Sequence, residues 1–414
     1  MKTSRTVGLV VLAFMLFAAG IGTGVFIDKQ TNQSNPNTVM VQPGTAADFQ
    51  LINQAWGIID SNYVDQSAVK PLDLTYGAIS GMVDSLGDTG HSTFLSPKEV
   101  QQANDSNQGQ LQGVGLQVQG KNGAIVVVAP VEGSPAQKAG IVAGDIILQV
   151  DGKPVTNVVD AVTLIRGTAG TSVTITILDA SGNTKTIPLV RAVINLVNVT
   201  WNMLPGTTIA HLRLASFAAN VTGELDAALS AIKAQGATGI ILDLRNNPGG
   251  LLDQAVGVTS RFINKGNVIM EKDINGKITS VPVTRGQNQT TLPMVILVNQ
   301  GTASASEIVV GALSDAGRAK SLGETTFGTG TVLVQFPLKD GSALVLAIQE
   351  WLTPSGKTIW HTGLTPDTVV TLPTDIFPLF PQAEKAANAG KGMTQADIQS
   401  SGDQQLLGAI KALS

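Results

Sequence analysis

An apolar run, Met294 to Val298, leads into the small-residue stretch G-T-A-S-A-S and then into a helical pattern from Glu307 to Ala316. This order of strand, tight turn and helix restricts the fold more than any other feature of the chain. A short continuous apolar run reads as a buried strand. The same pattern appears twice upstream: Ile209 to Leu214 precedes a helix over Glu224 to Lys233, and Gly239 to Leu244, ending in D-L-R-N-N-P-G-G, precedes a helix from about Leu251 to Phe262. Alternating strands and helices predict an α/β core. A serine at such a junction meets free backbone N–H groups and the positive end of a helix dipole, which favour a developing oxyanion. Small neighbours let a substrate backbone approach closely. The same letters also describe a flexible turn with a serine N-cap.

Composition narrows the chemistry. The chain of 414 residues is long enough for two or three domains, and with 43% hydrophobic and 14% charged residues it is globular. A net charge of −4 gives no basis for nucleic-acid binding. Cysteine is absent, which excludes disulfides, a thiol nucleophile and a cysteine zinc site. The 3 histidines stand at 91, 211 and 361.

Lys2 and Arg5 precede an uncharged run from Thr6 to Ile27. Its length predicts an uncleaved membrane anchor rather than a cleaved signal peptide, with everything beyond Asp28 outside the cytoplasm. Residues 28–46 read as a polar linker. Phe49, Ile52, Trp56 and Ile59 share one helical face, and Leu74, Ile79, Met82, Val83 and Leu86 mark a second helix. The turn G-D-T-G-H-S-T-F-L carries His91. Ser96, Pro97 and Glu99 then form a helix-start signature. From Leu111 the pattern changes to short strands, with helices after Ser134-Pro135 and over Val158 to Ile165 and a hairpin across Ser181-Gly182-Asn183.

Residues 111–192, and V-A-G-D-I-I-L-Q-V-D-G-K-P-V above all, resemble a PDZ domain. The resemblance implies that Gly113, Val114, Gly115 and Leu116 hold the carboxylate of a peptide C-terminus while the peptide adds as a strand. Together with D-L-R-N-N-P-G-G, G-T-A-S-A-S-E-I and G-E-T-T-F-G, the chain from about Phe49 to Asp367 resembles the carboxyl-terminal processing peptidases, or tail-specific proteases. That implies a crotonase-like α/β protease core, a helical N-terminal region and an inserted, mainly β PDZ domain. It also implies a serine endopeptidase acting on protein C-terminal tails. The implied nucleophile is Ser304 rather than Ser306, with the N–H groups of Ala305 and Gly250 as oxyanion donors. No metal or cofactor is implied.

The chain departs from that pattern at one place. The family's G-K-G-T-V-Q reads G-T-G-T-V-L here, so Thr329 stands at the base lysine and Leu333 at its orienting glutamine. A hydroxyl does not accept a proton near neutral pH, so Ser304 needs another base. The related tricorn-type branch uses a histidine in an Asp-x-x-His-like turn, which makes His91 the expected base, with His361 as neighbour or substitute. His211, Asp243 and Arg245 are expected to be structural, and Glu350 is a weak candidate to orient a histidine.

The expected organisation is an anchor or signal at 1–27, a linker at 28–46, a helical region at 47–110, the PDZ-like domain at 111–192, the protease core at 193–380 and a polar tail at 381–414. The partners expected are protein C-terminal tails and, through the N-terminal run, a membrane, with room for a homo-oligomer. The rival readings are a catalytically silent PDZ scaffold and a crotonase-like acyl-CoA enzyme.

Overall fold

A computed structural model of the chain describes residues 25–26, 46–88, 91–284 apart from 122, 132, 143 and 180, then 290–373, 376, 378–381 and 394–414. The core is a mainly parallel sheet in the order Val199–Met203, Ile209–Leu214, Gly239–Asp243, Met294–Val298, Lys320–Gly323 and Thr368–Val369. Only the first pair is antiparallel. Alternate residues of each strand point to opposite faces, and both faces are covered. Leu212, Leu242, Ile296 and Val298 pack under the helices Val221–Ala234, Leu252–Phe262 and Ala305–Asp315. Ile209, Ile241, Val295 and Leu297 pack on the other side against Ile398, Leu406 and Ala409. A strand buried on both faces must be apolar throughout, which is why Met294–Val298 shows no alternation.

The second layer comes from the stretch expected to be a polar tail. Helices Gln395–Ser400 and Gln404–Leu413 close the core, so the protease core extends beyond 380. Sequence reading finds one short amphipathic helix near Leu406–Leu413 within the tail, but not that its apolar face packs on the core sheet.

A second sheet joins Thr331–Pro337, Ala343–Leu352, Asn267–Lys272 and Ile278–Pro282, with Thr93–Leu95 added beside Ala343–Leu352. It links the N-terminal helical region to the loops that follow the core sheet. The helix Pro97–Asn107 carries the expected capping box: Ser96 N donates to Glu99 Oε2 at 2.7 Å. The helix Ala46–Asn62 exists as predicted, but Phe49, Ile52 and Ile59 are exposed.

The PDZ unit is an antiparallel sheet in the order Leu116–Lys121, Ala124–Pro130, Ile146–Val150, Ser172–Leu178 and Thr184–Val190, around its own apolar core. Its entry and exit segments, Gln110–Gly113 and Ala192–Asn195, pair with each other. The unit is thus joined to the core through one short ribbon.

The expected anchor and linker lie outside the described residues, except for Ala46 and for Val25–Phe26, which pair in parallel with Val332 and Leu333. Among the described residues no helix is long and apolar enough to cross a membrane.

If the last helix is part of the core, removing its main anchor should unfold more than a tail. Leu406 is fully buried. Leu406→Ala is expected to lower unfolding free energy by about 2–5 kcal/mol in urea denaturation. A change within experimental error would mean that the helix does not contribute to the core.

Candidate active site

The residues of interest gather beyond the carboxyl ends of the parallel strands, where open α/β sheets leave crevices. The turn after Met294–Val298 is fastened by Thr302, whose N–H donates to Asn299 O (2.9 Å) and whose Oγ1 donates to Leu244 O (2.8 Å) on the adjacent strand end. Ser304 follows with φ 54° and ψ −120°. Holding a non-glycine residue there costs on the order of 1–3 kcal/mol and needs support from its surroundings. An ordinary N-cap serine has extended backbone and bonds its oxygen to the helix. Ser304 does neither, because its Oγ is buried and without a hydrogen-bond partner. The turn is a strained elbow rather than a plain cap. Ser306 is engaged elsewhere, its Oγ donating to Asn247 O at 3.0 Å.

The N-N-P-G-G loop packs directly on this elbow. Ala303 N donates to Asn247 O at 3.0 Å. A Cβ on Gly249 would lie 2.7 Å from Ser304 Cβ and 2.8 Å from Ala305 N, so only glycine permits the approach. Gly249 N–H is taken by Asn247 Oδ1 at 2.9 Å. By contrast, the N–H groups of Gly250 and Ala305 donate no hydrogen bond among the described residues. The two expected oxyanion donors are thus the ones left available, and Gly249 is the spacer that brings their loops together.

Glu307, three residues into the elbow, was not singled out from sequence. It is fully buried and accepts from four donors. Oε2 receives Ser304 N (2.8 Å) and Thr329 N (3.0 Å), while Oε1 receives Thr326 Oγ1 (2.5 Å) and Gly328 N (2.7 Å). Burial raises its carboxyl above the ordinary value, and the four donors oppose that rise without cancelling it. One carboxylate therefore ties the serine elbow to the 326–329 loop. Thr329 is fully buried, and its Oγ1 has no partner among the described residues.

His91 lies in the turn before Thr93–Leu95 and is 3% exposed. Asp88 Oδ1 stands 3.2 Å from its Nδ1, and Asp88 Oδ2 accepts from Ser92 N (3.1 Å) and Ser92 Oγ (2.6 Å). The D-x-x-H spacing thus supplies the acid beside the ring. Sequence reading named only Glu350 as a weak candidate to orient a histidine, and the signal for Asp88 was the three-residue offset. The His91 ring is 5.8 Å from Phe327 and 5.5 Å from His361. Phe327 belongs to the loop held by Glu307, and its N–H donates to Thr302 O at 2.9 Å. His361 is exposed, stacks on Trp360 at 4.9 Å and donates its N–H to Gly328 O at 2.9 Å. Both histidines therefore flank the loop beside Ser304, and neither bonds Ser304 Oγ in this conformation.

Other candidates fall away. Glu350 is engaged by Lys272 (3.1 Å) and Thr358 (2.6 Å). Lys320 pairs with Asp367 at 2.8 Å. His211 pairs with Asp243 at 3.0 Å inside the sheet, as expected of a structural residue.

In the PDZ unit, Gly113, Val114, Gly115 and Leu116 line a small cavity with Val162 and Ile165 of the helix Val158–Ile165. Arg166, at the end of that helix, shares the cavity, and burial lowers its guanidinium from the ordinary range while leaving it charged. It was missed from sequence because it falls in a turn with no motif.

The Glu307 hub yields a stability prediction. In Glu307→Gln one oxygen becomes an NH2 donor facing two donors, so two of the four bonds fail. The expected cost is about 1–3 kcal/mol in urea denaturation near neutral pH. Because the folded carboxyl titrates above 4.5, its stabilising contribution is full below pH 4.5 and declines as pH rises through the raised value. The stability gap between wild type and variant should narrow across that interval, and a widening gap would contradict the hub's electrostatics.

The chain is similar to known proteins. The sequence model of peptidase family S41 matches residues 208–370, and a PDZ-domain model matches 126–179. The carboxy-terminal processing protease CtpA of Bacillus subtilis is 35% identical over 352 residues, 84% of this chain and 75% of that protein. The carboxyl-terminal-processing protease of Synechocystis sp. is 34% identical over 348 residues, 78% of this chain and 81% of that protein. Among solved structures, a photosystem II D1 C-terminal processing protease superposes with a TM-score of 0.51 at 32% identity, over 80% of this chain and 95% of that one. With a strained serine elbow on an α/β core and an inserted PDZ unit, the chain belongs to peptidase family S41, as a serine-type peptidase of the carboxy-terminal processing kind.

Proposed function

We propose that the protein cleaves polypeptides whose exposed C-termini dock in its PDZ unit, with Ser304 as nucleophile and His91 as base. The observation that carries this reading is the elbow: Ser304 is held at positive φ with its oxygen unbonded, beside two N–H groups without acceptors. Docking at Gly113–Leu116 adds the tail as a strand and passes the upstream chain toward the core. Ser304 Oγ attacks the scissile carbonyl and its proton passes to the His91 imidazole, which Asp88 orients. The carbonyl oxygen becomes an oxyanion facing Ala305 N–H and Gly250 N–H. On collapse the C–N bond breaks, the amine takes the proton from His91, and water then hydrolyses the acyl-enzyme with His91 again accepting a proton. The Ser304–His91 hydrogen bond is made when substrate closes the site, as contacts loose in a free enzyme tighten on binding. His361, at the exposed rim, is the substitute base. The uncharged run Thr6–Ile27 supports a membrane-anchored, extracytoplasmic setting.

A tail-bearing protein substrate, incubated with each variant, tests the assignment. His91→Ala should lower kcat on the order of 10²–10⁴-fold. Ser304→Ala should act on the same step, leaving the double variant little worse than either single one. Full activity in His91→Ala would move the role to His361, and full activity without either histidine would end the histidine mechanism. Absence of fluorophosphonate labelling in wild type would favour a silent scaffold, a reading suggested by Thr329 at the lysine position.

The docking step has its own test. Amidating the C-terminus of a bound peptide should weaken its binding clearly, because the loop's N–H groups lose a carboxylate. Equal affinity for acid and amide would exclude carboxylate capture.

A further inference from the structure

The loop that carries Gly250 has two sides. One side is stitched to the serine elbow through Asn247 and Gly249. The other side is set by Arg245, which is fully buried and points away from the elbow, toward the chain's last segment. Its Nε and Nη2 bind Asp243, and Nη2 also donates to Leu379 O at 3.1 Å. Its Nη1 donates to both oxygens of Asp403, at 2.9 and 2.8 Å, and to Gln405 Oε1 at 3.2 Å.

Asp403 is itself a junction. It caps the helix Gln404–Leu413, its Oδ1 accepting from Leu406 N at 3.0 Å, while Oδ2 accepts from Leu379 N at 2.9 Å. It is 0% exposed. A buried ion pair of this kind is weak support for stability, since apolar groups of equal volume do as well. What it supplies is direction: the guanidinium plane and the carboxylate fix each other's position.

We propose that Asp403 is a positioning residue for the oxyanion loop, acting through Arg245 to hold Gly250 N–H where the transition-state oxygen forms. The inference rests on the oxyanion role assigned to Gly250 above. It gives the C-terminal segment a part in the reaction, since without Asp403 the Arg245 side chain loses its charged partner on the far side of the loop and keeps there only the neutral acceptors Gln405 Oε1 and Leu379 O. Displacements of about 1 Å at such a donor cost on the order of 10²-fold in rate.

The test compares Asp403→Asn with Leu406→Ala, which loosens the same helix without touching Arg245. Asp403→Asn keeps the volume and a capping oxygen and loses the charge. The readouts are kcat and KM on a tail-bearing protein, affinity for a peptide aldehyde that forms a tetrahedral adduct with the serine, affinity of the PDZ unit for a C-terminal peptide, and Tm. Asp403→Asn should lower kcat by about 10–10²-fold with KM within about twofold. Aldehyde affinity should fall in proportion and tail-peptide affinity should not change. Leu406→Ala should lower Tm and leave kcat near wild type at temperatures where it is folded. The proposal fails if folded Asp403→Asn keeps wild-type kcat, if its kcat falls while aldehyde affinity holds, or if Leu406→Ala loses kcat to the same extent. Wild-type protein that neither turns over nor labels with a fluorophosphonate would overturn the site reading and this inference with it. An active wild type with an insensitive Asp403→Asn overturns this inference alone.

Discussion

The site depends on one carboxylate accepting four hydrogen bonds. Glu307 receives the N–H of Ser304 from its own turn and three donors from the 326–329 loop. Those partners lie about one helix and one strand apart in sequence, and the Phe327 N–H to Thr302 O bond is a second tie between the loop and the serine turn. A buried carboxylate without partners would be costly. With four donors it becomes a rigid joint, and the strain at Ser304 is sustained by this joint and by the Thr302 clamp to Leu244. The elbow is therefore a property of the assembled loops rather than of G-T-A-S-A-S alone, which explains why the stretch by itself reads equally well as a flexible turn.

A second consequence concerns the PDZ unit. It hangs from the core by Gln110–Gly113 and Ala192–Asn195. Gln112 in that ribbon donates to Asp105 Oδ2 at 2.7 Å and accepts from Ala169 N at 3.0 Å. Ala169 follows Arg166 at the peptide cavity, and Asp105 lies on the helix that begins just after the His91 turn. The cavity and the histidine thus share a short run of covalent and hydrogen-bonded structure.

Much of this was legible in the sequence where the signal is local. Met294–Val298, Gly239–Asp243 and Val158–Ile165 declare themselves because burial on both faces, or on one helical face, leaves a contiguous or periodic apolar record. The capping box at Ser96 and Glu99 does so because its chemistry spans four adjacent residues. Ser304, Gly250 and Ala305 were reachable through resemblance, and the structure puts them together. What escaped needed long-range geometry. Asp403 looks like one polar residue in a polar tail until Arg245 is found beside it. Glu307 looks like an ordinary first-turn acid. Asp88 is visible only if the turn is known to fold its carboxylate back onto His91. The apolar face of Ala46–Asn62 was predicted correctly as a pattern, but the other described residues leave Phe49, Ile52 and Ile59 exposed.

The surroundings of Thr329 fit the proposed placement of the base at His91. The position is fully enclosed, and its N–H is committed to Glu307. A lysine there would bring a flexible, charged amine into a space already bordered by a buried carboxylate and needing its own acceptor; the family supplies a glutamine where this chain has Leu333, whose side chain packs with Leu95 and Val345 instead. With that position apolar, no side-chain acceptor at 333 would orient an amine, and losing the amine removes the need for one. In the proposed reading the proton acceptor comes from a different element. That element is the turn carrying His91, which is anchored to the same sheet because Ser92 Oγ accepts Ala347 N at 3.0 Å and Thr93–Leu95 pairs with Ala343–Val345. In the proposed reading the base lies on this turn rather than in the 326–329 loop, and the turn and the loop adjoin the same sheet.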